Sequence, residues 1–300
     1  NRGFMQDMRR LLKSDEGMVA GAQFHIKRNT GNFGTINYMA SQDGFTLYDT
    51  VTYNYRHNEA NGEDNHDGSG SSYNYSWNCG VEGASRKQAI RRLREQQLRN
   101  AFLMLLLSQG TPMIYGGDEF GNSQNGNNNA WCQDNSVGWT DWKCMKKQEK
   151  LFSFVKKAIA FRKDHPILHM PNELRSVDYM AKGFPDVSFH GERAWFLNME
   201  NTSRLIGIMY CGAYAQKPDG TDDDFLYIGY NFHWEKRNIA LPNLPDGMTW
   251  KKIADTSDQE EKNWFQDGKE TYKKTIDINP RTIVVLVARQ GEIENASVAA

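Results

Sequence analysis

Cysteine is scarce in this sequence, and its placement shows no pairing pattern. The four cysteines among 300 residues are Cys79, Cys132, Cys144 and Cys211. None belongs to a Cys-x-x-Cys pair, and their spacing fits no zinc site. We therefore expect four reduced thiols, which are typical of a cytoplasmic protein and unusual in a small secreted one.

Excess charge and long apolar runs are also missing. Lys and Arg number 36 and Asp and Glu number 37, which gives a net charge of -1. A protein that binds nucleic-acid backbones needs a basic surface, and a membrane-spanning helix needs about 18 or more apolar residues in a row. The sequence has neither, and it lacks a basic-then-apolar signal segment at its start. We expect no nucleic-acid partner and no membrane partner.

Two short catalytic motifs are absent as well. The sequence contains no glycine-rich phosphate loop and no Gly-x-Ser-x-Gly motif. These absences argue against phosphate-loop nucleotide chemistry and against a serine nucleophile of that type.

Aromatic residues, in contrast, are abundant. They make up 12% of the chain, with 8 Trp and 13 Tyr, and hydrophobic residues make up 39%, enough for a sizeable core. The rings have two interpretations: packing in cores and turns, or flat surfaces that stack on sugars. Composition alone favours packing in cores and turns.

Two strand–loop–helix units fill the first half of the sequence. Strands are predicted at Thr35 to Ala40 and at Pro112 to Tyr115, and amphipathic helices at about 86–107 and 148–163. Such repeats are typical of parallel βα units, in which chemistry lies on loops at the carboxyl ends of strands.

Acidic residues occur at both of these predicted strand ends. Asp43 follows the first strand, and Asp118 and Glu119 follow the second. The helix at 86–107 begins with a basic run, which we interpret as a solvated helix face. This run consists of Arg86, Lys87, Arg91, Arg92 and Arg94.

The pattern changes after about Pro171, where short apolar runs alternate with turn residues. These runs are Trp195 to Met199, Leu205 to Tyr210, Phe225 to Asn231, Met248 to Ile253 and Thr282 to Ala288. We predict an antiparallel β-sandwich. The domain boundaries are therefore 1–171 and 172–300.

Two long polar loops are candidates for function. The loop from Tyr53 to Gly83 and the loop from Gly121 to Asn135 combine aromatic rings with Asn, Asp, Glu and Gly. Their amides and acids can bond sugar hydroxyls as donors and acceptors. A structural calcium ion is the alternative, although the spacing fits the calcium-loop template poorly. Its ligands would come from His57, Glu59, Glu63, Asp64, His66 and Asp67.

Long and specific motifs lie in and between these loops. They are FTLYDTVTYNYRHNEANGEDNHDG from Phe45, YSWNCGVEG from Tyr75, LLSQGTPMIYGGDEFG from Leu106 and RKDHP from Arg162. These segments resemble isoamylase and the bacterial glycogen debranching enzymes of the alpha-amylase superfamily. The resemblance covers nearly the whole chain.

The resemblance implies a (β/α)8 catalytic barrel followed by a β-sandwich domain. Residues 1–171 would be the C-terminal portion of that barrel, with strands seven and eight and their helices, and residues 172–300 the sandwich. The implied activity is hydrolysis of α-1,6 branch linkages in glycogen or amylopectin with retention, without a cofactor. Retention requires a nucleophile and an acid/base, both of them carboxyl groups.

The resemblance assigns a catalytic role to Asp43. It matches the family's third carboxylate, at the end of strand seven, and we expect a buried group that holds sugar hydroxyls in the oxocarbenium-like transition state. Gln42 stands where the family usually has His, and Gln donates hydrogen bonds but cannot become cationic. The family's nucleophile and acid/base lie on strands four and five, so we expect this chain alone to be inactive.

Further substrate contacts are implied in the loops. Asn128 and Asp134 match positions that contact the glucose chain in relatives, although an asparagine-rich loop bonded to itself is an equal alternative. Trp77 and Trp131 are candidates for stacking on sugar. Asp118 and Glu119 are expected to order the strand end, and no metal site is predicted.

Three functions stay open at this point. The chain begins at Asn1 within a predicted helix, so we interpret it as part of a longer debranching hydrolase. The alternatives are a non-catalytic α-glucan-binding module and a split-enzyme subunit. The expected partners are α-glucans (glycogen, amylopectin, maltooligosaccharides) and either the missing N-terminal half or a second copy, which would cover exposed apolar flanks.

Overall fold

The computed structural model describes residues 1–68, 70 and 73–290, which form six α-helices and ten β-strands. The helices are α1 (Arg2–Leu12), α2 (Val19–Lys27), α3 (Leu47–Thr50), α4 (Gln88–Leu106), α5 (Lys143–Lys147) and α6 (Glu149–Asp164). The strands are β1 (Ile36–Tyr38), β2 (Thr111–Met113), β3 (Val187–His190), β4 (Leu205–Tyr210), β5 (Leu226–Asn231), β6 (Arg237–Ala240), β7 (Met248–Asp255), β8 (Thr271–Tyr272), β9 (Thr275–Ile278) and β10 (Thr282–Gln290). Within the described part of the chain, no helix combines the length and apolar character that a membrane crossing requires.

Strands β1 and β2 pair in parallel, which confirms the two predicted βα units. Ile36 lies opposite Thr111, and Tyr38 lies opposite Met113. Both strands are three residues long and shorter than predicted. Pro112 supplies no amide hydrogen to the ladder, which limits how far pairing can extend.

The helices of this half are amphipathic and bury the predicted residues. In α1, Phe4, Met8, Leu11 and Leu12 are buried, and the Asn1 side chain caps the helix by accepting the Phe4 amide at 3.2 Å. Helix α6 ends at Asp164, before Pro166, as expected from the steric effect of proline on the preceding residue.

A six-stranded sheet dominates the second half, in the order β3-β4-β5-β10-β7-β8 with antiparallel pairing. Strands β6 and β9 form a separate antiparallel pair. A smaller core lies between the two sheets, with Leu205 and Val284 from the large sheet against Ile239 and Ile278 from the small one. The other face of the large sheet packs against the helices in one continuous core.

Two glycines allow this close packing. A side chain at Gly229 would place its Cβ 2.6 Å from Cδ1 of Ile278, and one at Gly207 would collide with the hydroxyl of Tyr227. Glycine is therefore required on these strands because neighbouring side chains and the partner sheet approach their backbone.

Four of the five predicted strands of this half are confirmed as β4, β5, β7 and β10. The predicted strand from Trp195 to Met199 is wrong, since the segment forms only an isolated bridge between Arg193 and Phe196. Trp195 adopts a φ of 65°, which breaks the extended conformation. The Trp195 amide donates to Nδ1 of His190 at 2.7 Å instead of joining a ladder.

Helix α4 joins the two halves through buried polar contacts. The Arg99 guanidinium donates to the carbonyl oxygen of Thr256 at 2.8 and 3.0 Å, and the Thr256 hydroxyl donates to Oδ1 of Asn100 at 2.6 Å. The division at residue 171 stays a prediction, because the larger core takes residues from both sides of it.

The basic run at the start of α4 is only partly a solvated face. Arg86, Lys87, Arg91 and Arg92 are exposed, but Arg94 is buried. Its guanidinium donates to the carbonyls of Gly83 at 2.8 Å and of Asn78 at 2.9 Å. Arg94 therefore holds the end of the first long loop, and its interpretation as a solvated charge is wrong.

Candidate active site

The candidate site lies at the carboxyl ends of β1 and β2, from which the two long loops emerge. Ser41, Gln42 and Asp43 follow β1, and both Gln42 and Asp43 are exposed. The sequence predicts a buried carboxylate at Asp43, and the structure corrects this. Asp43 lies in a turn outside the strand, where its amide and carbonyl bond the Ser41 hydroxyl at 3.4 and 3.2 Å. The carboxylate is therefore presented to solvent.

A buried arginine brackets this turn. Arg9 of α1 donates from Nε to the carbonyl of Met39 at 2.6 Å and from Nη2 to the carbonyl of Phe45 at 3.2 Å. Its Nη1 donates to the carbonyl of Asn74 in the first long loop at 2.9 Å. Burial lowers the pKa of Arg9 to about 10, which still leaves it cationic at neutral pH. Arg9 thus fixes the backbone on both sides of Asp43.

Asp118, the acid that follows β2, is buried in the same region. Its Oδ1 accepts the Leu47 amide at 2.8 Å, at the start of α3. Burial raises the pKa of Asp118 to about 7, although the Leu47 bond and the charge of Arg9 oppose the shift. Glu119 accepts the Gly117 amide at 2.9 Å. Both acids therefore order the strand end, in the way the sequence analysis expects.

A second buried acid, Asp49 of α3, holds the loop that follows β2. Its carboxylate accepts the Ser123 hydroxyl at 2.5 Å and the Gln124 amide at 2.8 Å. Burial raises the pKa of Asp49 to about 6, against the opposing effect of these bonds. Each of the two strand-end segments is therefore fastened to the other by a buried carboxylate.

Asparagine side chains join the two long loops. Nδ2 of Asn58 donates to Oδ1 of Asn128 at 2.8 Å, and the backbone amide of Asn128 donates to Oδ1 of Asn58 at 3.0 Å. Nδ2 of Asn128 donates to Oδ1 of Asn74 at 3.1 Å. Because a carboxamide both donates and accepts, it can link two loops that lack regular pairing.

This arrangement bears on the expected role of Asn128. Its side chain is buried and bonds Asn58 and Asn74, which favours the self-bonded loop over direct contact with sugar. Its carbonyl accepts the Gly44 amide at 3.2 Å, so the second loop lies directly beside the Asp43 turn. Asn128 therefore holds the second loop beside the Asp43 turn.

Trp77 is half-buried and packs against the core. The guanidinium carbon of Arg281 lies 4.3 Å from its ring centre, which is a cation–π contact between the two halves of the chain. Its amide donates to the carbonyl of Thr50 at 2.9 Å. One face of the Trp77 ring is therefore occupied, and stacking on sugar stays a prediction for the remaining surface.

The other predicted contacts lie on the surface of the second loop. Trp131 is 85% exposed, within a short 3-10 helix at Ala130–Cys132. Asp134 is exposed, and its Oδ1 accepts the indole N–H of Trp139 at 3.0 Å. Among the described residues, no hydrogen bond or ring contact joins Asp43 or Gln42 to Asp134, Trp77 or Trp131. The roles of Gln42, Asp134, Trp77 and Trp131 as glucan contacts stay predictions.

The ligand-type side chains of the first loop serve other bonds. His57 lies 3.2 Å from Glu82, and Asp67 accepts Nδ2 of Asn61 and of Asn129 at 2.7 Å each. Within the described ranges, the one group of three such side chains is His165, Asp223 and Asp224. Lys217 and Arg289 approach Asp224 at 3.0 and 3.3 Å, so this group is an ion-pair network. All four cysteines are free, as predicted.

Sequence reasoning missed Arg9 and Asp49, which hold the site together. Arg9 stands at the buried edge of a helical stripe, next to Met8, and Asp49 directly follows the run from Phe45. A charged residue at a position that the helical period assigns to the core is a detectable sign of a buried polar contact.

The chain is similar to several characterised sequences, although no protein-family model matches it. It is 36% identical over 240 residues to the glycogen operon protein GlgX homolog of Mycobacterium tuberculosis, which covers 75% of this chain and 32% of that protein. It is 37% identical over 267 residues to the chloroplastic isoamylase 1 of Arabidopsis thaliana, which covers 86% of this chain and 31% of that protein. The chain thus spans about a third of the length of these relatives.

Solved structures share the fold at low sequence identity. The pullulanase of Bacillus acidopullulyticus superimposes with a TM-score of 0.62 at 15% identity, over 96% of this chain and 30% of that one. The type I pullulanase of Bacillus subtilis, solved with maltose, gives 0.61 at 16% identity, over 96% of this chain and 35% of that one.

A third relative is named as a glycogen debranching enzyme. Over 134 residues the chain is 48% identical to the glycogen debranching enzyme of Erwinia tasmaniensis, which covers 45% of this chain and 20% of that protein. These matches show that the chain belongs to the isoamylase and glycogen debranching enzyme family.

Proposed function

We propose that this chain is the part of a debranching glycosidase that carries strands seven and eight of a (β/α)8 barrel and the following β-sandwich. The parallel pair of β1 and β2, each followed by a helix, supports this placement. So do the antiparallel sheets that come next. The enzyme would hydrolyse α-1,6 branch linkages of glycogen or amylopectin with retention of configuration.

Asp43 carries the proposal. It is an exposed carboxylate at the carboxyl end of a parallel strand, which is where barrel enzymes present catalytic groups. Buried Arg9 holds the carbonyls on both sides of it, so the turn is preorganised. A fixed carboxylate that bonds sugar hydroxyls most strongly in the distorted, oxocarbenium-like state lowers the barrier.

The remaining residues would act at the edges of the sugar. Gln42 offers an amide donor and acceptor next to Asp43. Trp131 and Asp134 lie on the loop that Asn128 holds against the Asp43 turn, where an indole face and a carboxylate can contact a glucose chain. Maltose in the B. subtilis pullulanase supports an α-glucan as the ligand of this fold.

The nucleophile and the acid/base would come from the strands that this sequence does not contain. A chain with one of three catalytic carboxylates binds α-glucan without cleaving it. This makes glucan binding the activity of the isolated 300 residues, and hydrolysis the activity of a polypeptide that also supplies strands four and five.

A chimera tests this proposal. The chain replaces the matching 240-residue region of the M. tuberculosis relative, and release of linear maltooligosaccharides from glycogen is measured with the isolated chain as control. We expect release by the chimera and none by the chain. Hydrolysis by the isolated chain at the rate of a complete relative would contradict the proposal. So would a folded chimera, judged by circular dichroism, that binds amylopectin but cleaves no branch.

A further inference from the structure

A cavity of about 290 Å³ opens on the β-rich half of the molecule, next to strands β4 and β6. Its wall includes Arg193, Phe196, Asn198, His233 and Arg237. These residues come from the segment after β3, from the segment that joins β5 to β6, and from the first position of β6. None of them belongs to the loops around Asp43.

Two exposed aromatic rings border the cavity. Phe196 lines it and is 49% exposed. Trp234 is 60% exposed and lies outside the wall, with its ring centre 6.2 Å from that of His233, which lines the cavity. A guanidinium lies on each ring: Arg193 is 4.5 Å from the Phe196 centre, and Arg204 is 5.3 Å from the Trp234 centre. These contacts fix the rings in place and still leave about half of each surface open, as in a binding platform.

The Trp234 platform is anchored to the cavity wall through His233. The Arg204 amide donates to Nε2 of His233 at 3.2 Å, and Arg204 also donates to the carbonyls of Ser14 and Thr202, each at 2.7 Å. Burial and the charges of Arg237 and Arg204 lower the pKa of His233, which favours the neutral imidazole at pH 7. Because Nε2 of this imidazole accepts the Arg204 amide, its proton lies on Nδ1.

The charges around the cavity balance. Arg237 pairs with Glu235 at 3.2 Å, and Arg193 shares the cavity wall with Glu192. Arg204, which contacts the Trp234 ring, pairs with Glu16 at 3.5 Å. Three cations, three carboxylates and a neutral histidine therefore give no net charge that would attract a phosphate or a polyanion. The wall instead offers donors and acceptors together, including the Asn198 amide, whose Oδ1 already accepts the Glu200 amide at 2.9 Å.

The ligand must match an open aromatic face and a polar wall without net charge. A neutral polyhydroxyl chain meets both demands, because its ring faces are apolar and its edges carry hydroxyls that donate and accept.

We propose that this cavity, with Phe196 and Trp234, binds a short stretch of α-glucan chain and tethers the protein to its polymer. The choice of α-glucan among neutral polyhydroxyl ligands rests on the proposed function. A second, weak contact on the same polymer raises the local concentration of branches near the Asp43 turn without any change in the chemistry there.

Affinity electrophoresis of the 300-residue chain in gels with and without amylopectin tests this site. We expect the wild-type chain to be retarded by amylopectin, and Trp234→Ala and Phe196→Ala each to weaken the apparent affinity about tenfold, as for loss of one stacked ring. Trp234→Phe keeps a ring and should retain most of the retardation. Phe33→Ala removes a ring that is 79% exposed elsewhere and should change nothing. Thermal unfolding checks that each variant is folded.

The outcomes separate this inference from the proposed function. Equal retardation of wild type, Trp234→Ala and Phe196→Ala overturns the second site and leaves the function of Asp43 untouched. Retardation of the wild-type chain by dextran sulfate but not by amylopectin also overturns the second site, and it contradicts the glucan binding proposed for the isolated chain. Hydrolysis by the chimera is measured separately and decides the proposed function, since cleavage of small branched oligosaccharides does not need a tether.

Discussion

The side chain of Asp118, which follows strand β2, accepts the backbone amide of Leu47, which follows strand β1, at 2.8 Å. This one bond joins the two strand-end segments around the candidate site. The side chain of Asp118 is buried near the cationic Arg9, and burial raises its pKa to about 7. The same group therefore links the two segments and titrates near neutral pH.

Asp118→Asn should change how stability depends on pH. In the folded protein the pKa of Asp118 is about 7, against 3.8 for an ordinary Asp. Between these values the folded state holds a proton that the unfolded state has lost, so the wild-type protein loses stability as pH rises from 4 to 7. Asn keeps the acceptor for Leu47 and does not titrate. Relative to the variant, the wild-type free energy of unfolding should fall by roughly 2–4 kcal/mol over this range.

Urea denaturation at several pH values measures this difference. His190, whose pKa burial lowers to about 4, gives a slope of the opposite sign, but it does so in both proteins and cancels. Asp246→Asn, at an exposed position, serves as control and should show no pH-dependent difference. A constant difference between wild type and Asp118→Asn would mean that Asp118 titrates normally.

Arg9→Lys should destabilise the protein by roughly 3 kcal/mol. Arg9 bonds three carbonyls in three directions, and a single ammonium cannot replace that planar geometry. Arg10→Lys at the neighbouring, half-exposed position is the matched control and should cost less than about 0.5 kcal/mol. Similar unfolding midpoints for the two variants would refute the bracketing role of Arg9.

Asn128→Ala should loosen both long loops. The change leaves Oδ1 of Asn74 and Nδ2 of Asn58 with one partner fewer in a buried place, at a cost of about 2 kcal/mol. We expect faster limited proteolysis within residues 53–83 and 121–135. Asn172→Ala, at an exposed position, should behave like wild type. Unchanged cleavage rates in Asn128→Ala would return this residue to the role of a direct glucan contact.

The elements that could be located from the sequence are those fixed by the local spacing of apolar residues and by residues that break helices or strands. Helices α1 and α6 and strands β4 and β10 follow from apolar spacing and from breakers such as Pro166. Two other segments depend on partners that are distant in the sequence or that bond the backbone locally. Strand β6 pairs with β9. The segment predicted as a strand at Trp195 forms a turn, in which the Trp195 amide donates to the His190 side chain.

The site divides in the same way. The position of Asp43 after a strand is predictable because an apolar run and a polar stop coincide in a few residues, while its catalytic role stays a prediction. The roles of Arg9, Asp49 and Asn128 depend on which backbone atoms come within hydrogen-bond distance, and the sequence does not encode those distances locally. The exposure of Asp43 is likewise a property of the folded turn.

Gln42→His tests the departure from the family pattern that the resemblance implies at this position. Gln42 is exposed, so the substitution should leave the unfolding midpoint unchanged. In the chimera, an imidazole next to Asp43 can become cationic where the amide cannot, and we expect debranching that rises several-fold below about pH 6.5, the ordinary pKa of His.

The pH–rate profile of this variant is compared with that of the parent chimera, which keeps Gln42. Both proteins are assayed on the same glycogen, and amylopectin binding is measured beside the rate. Identical profiles would show that either hydrogen-bond donor suffices at this position and that its charge has no role.

The most direct measurement is the turnover of the chimera with Asp43→Asn. Asn keeps the size and one acceptor but removes the negative charge, so glucan binding should persist while kcat falls on the order of 10²–10³-fold. Asp246→Asn in the same chimera should keep the parental kcat. If Asp43→Asn retains kcat within about twofold and releases the same linear chains from glycogen, Asp43 does not stabilise the transition state and the central claim is wrong.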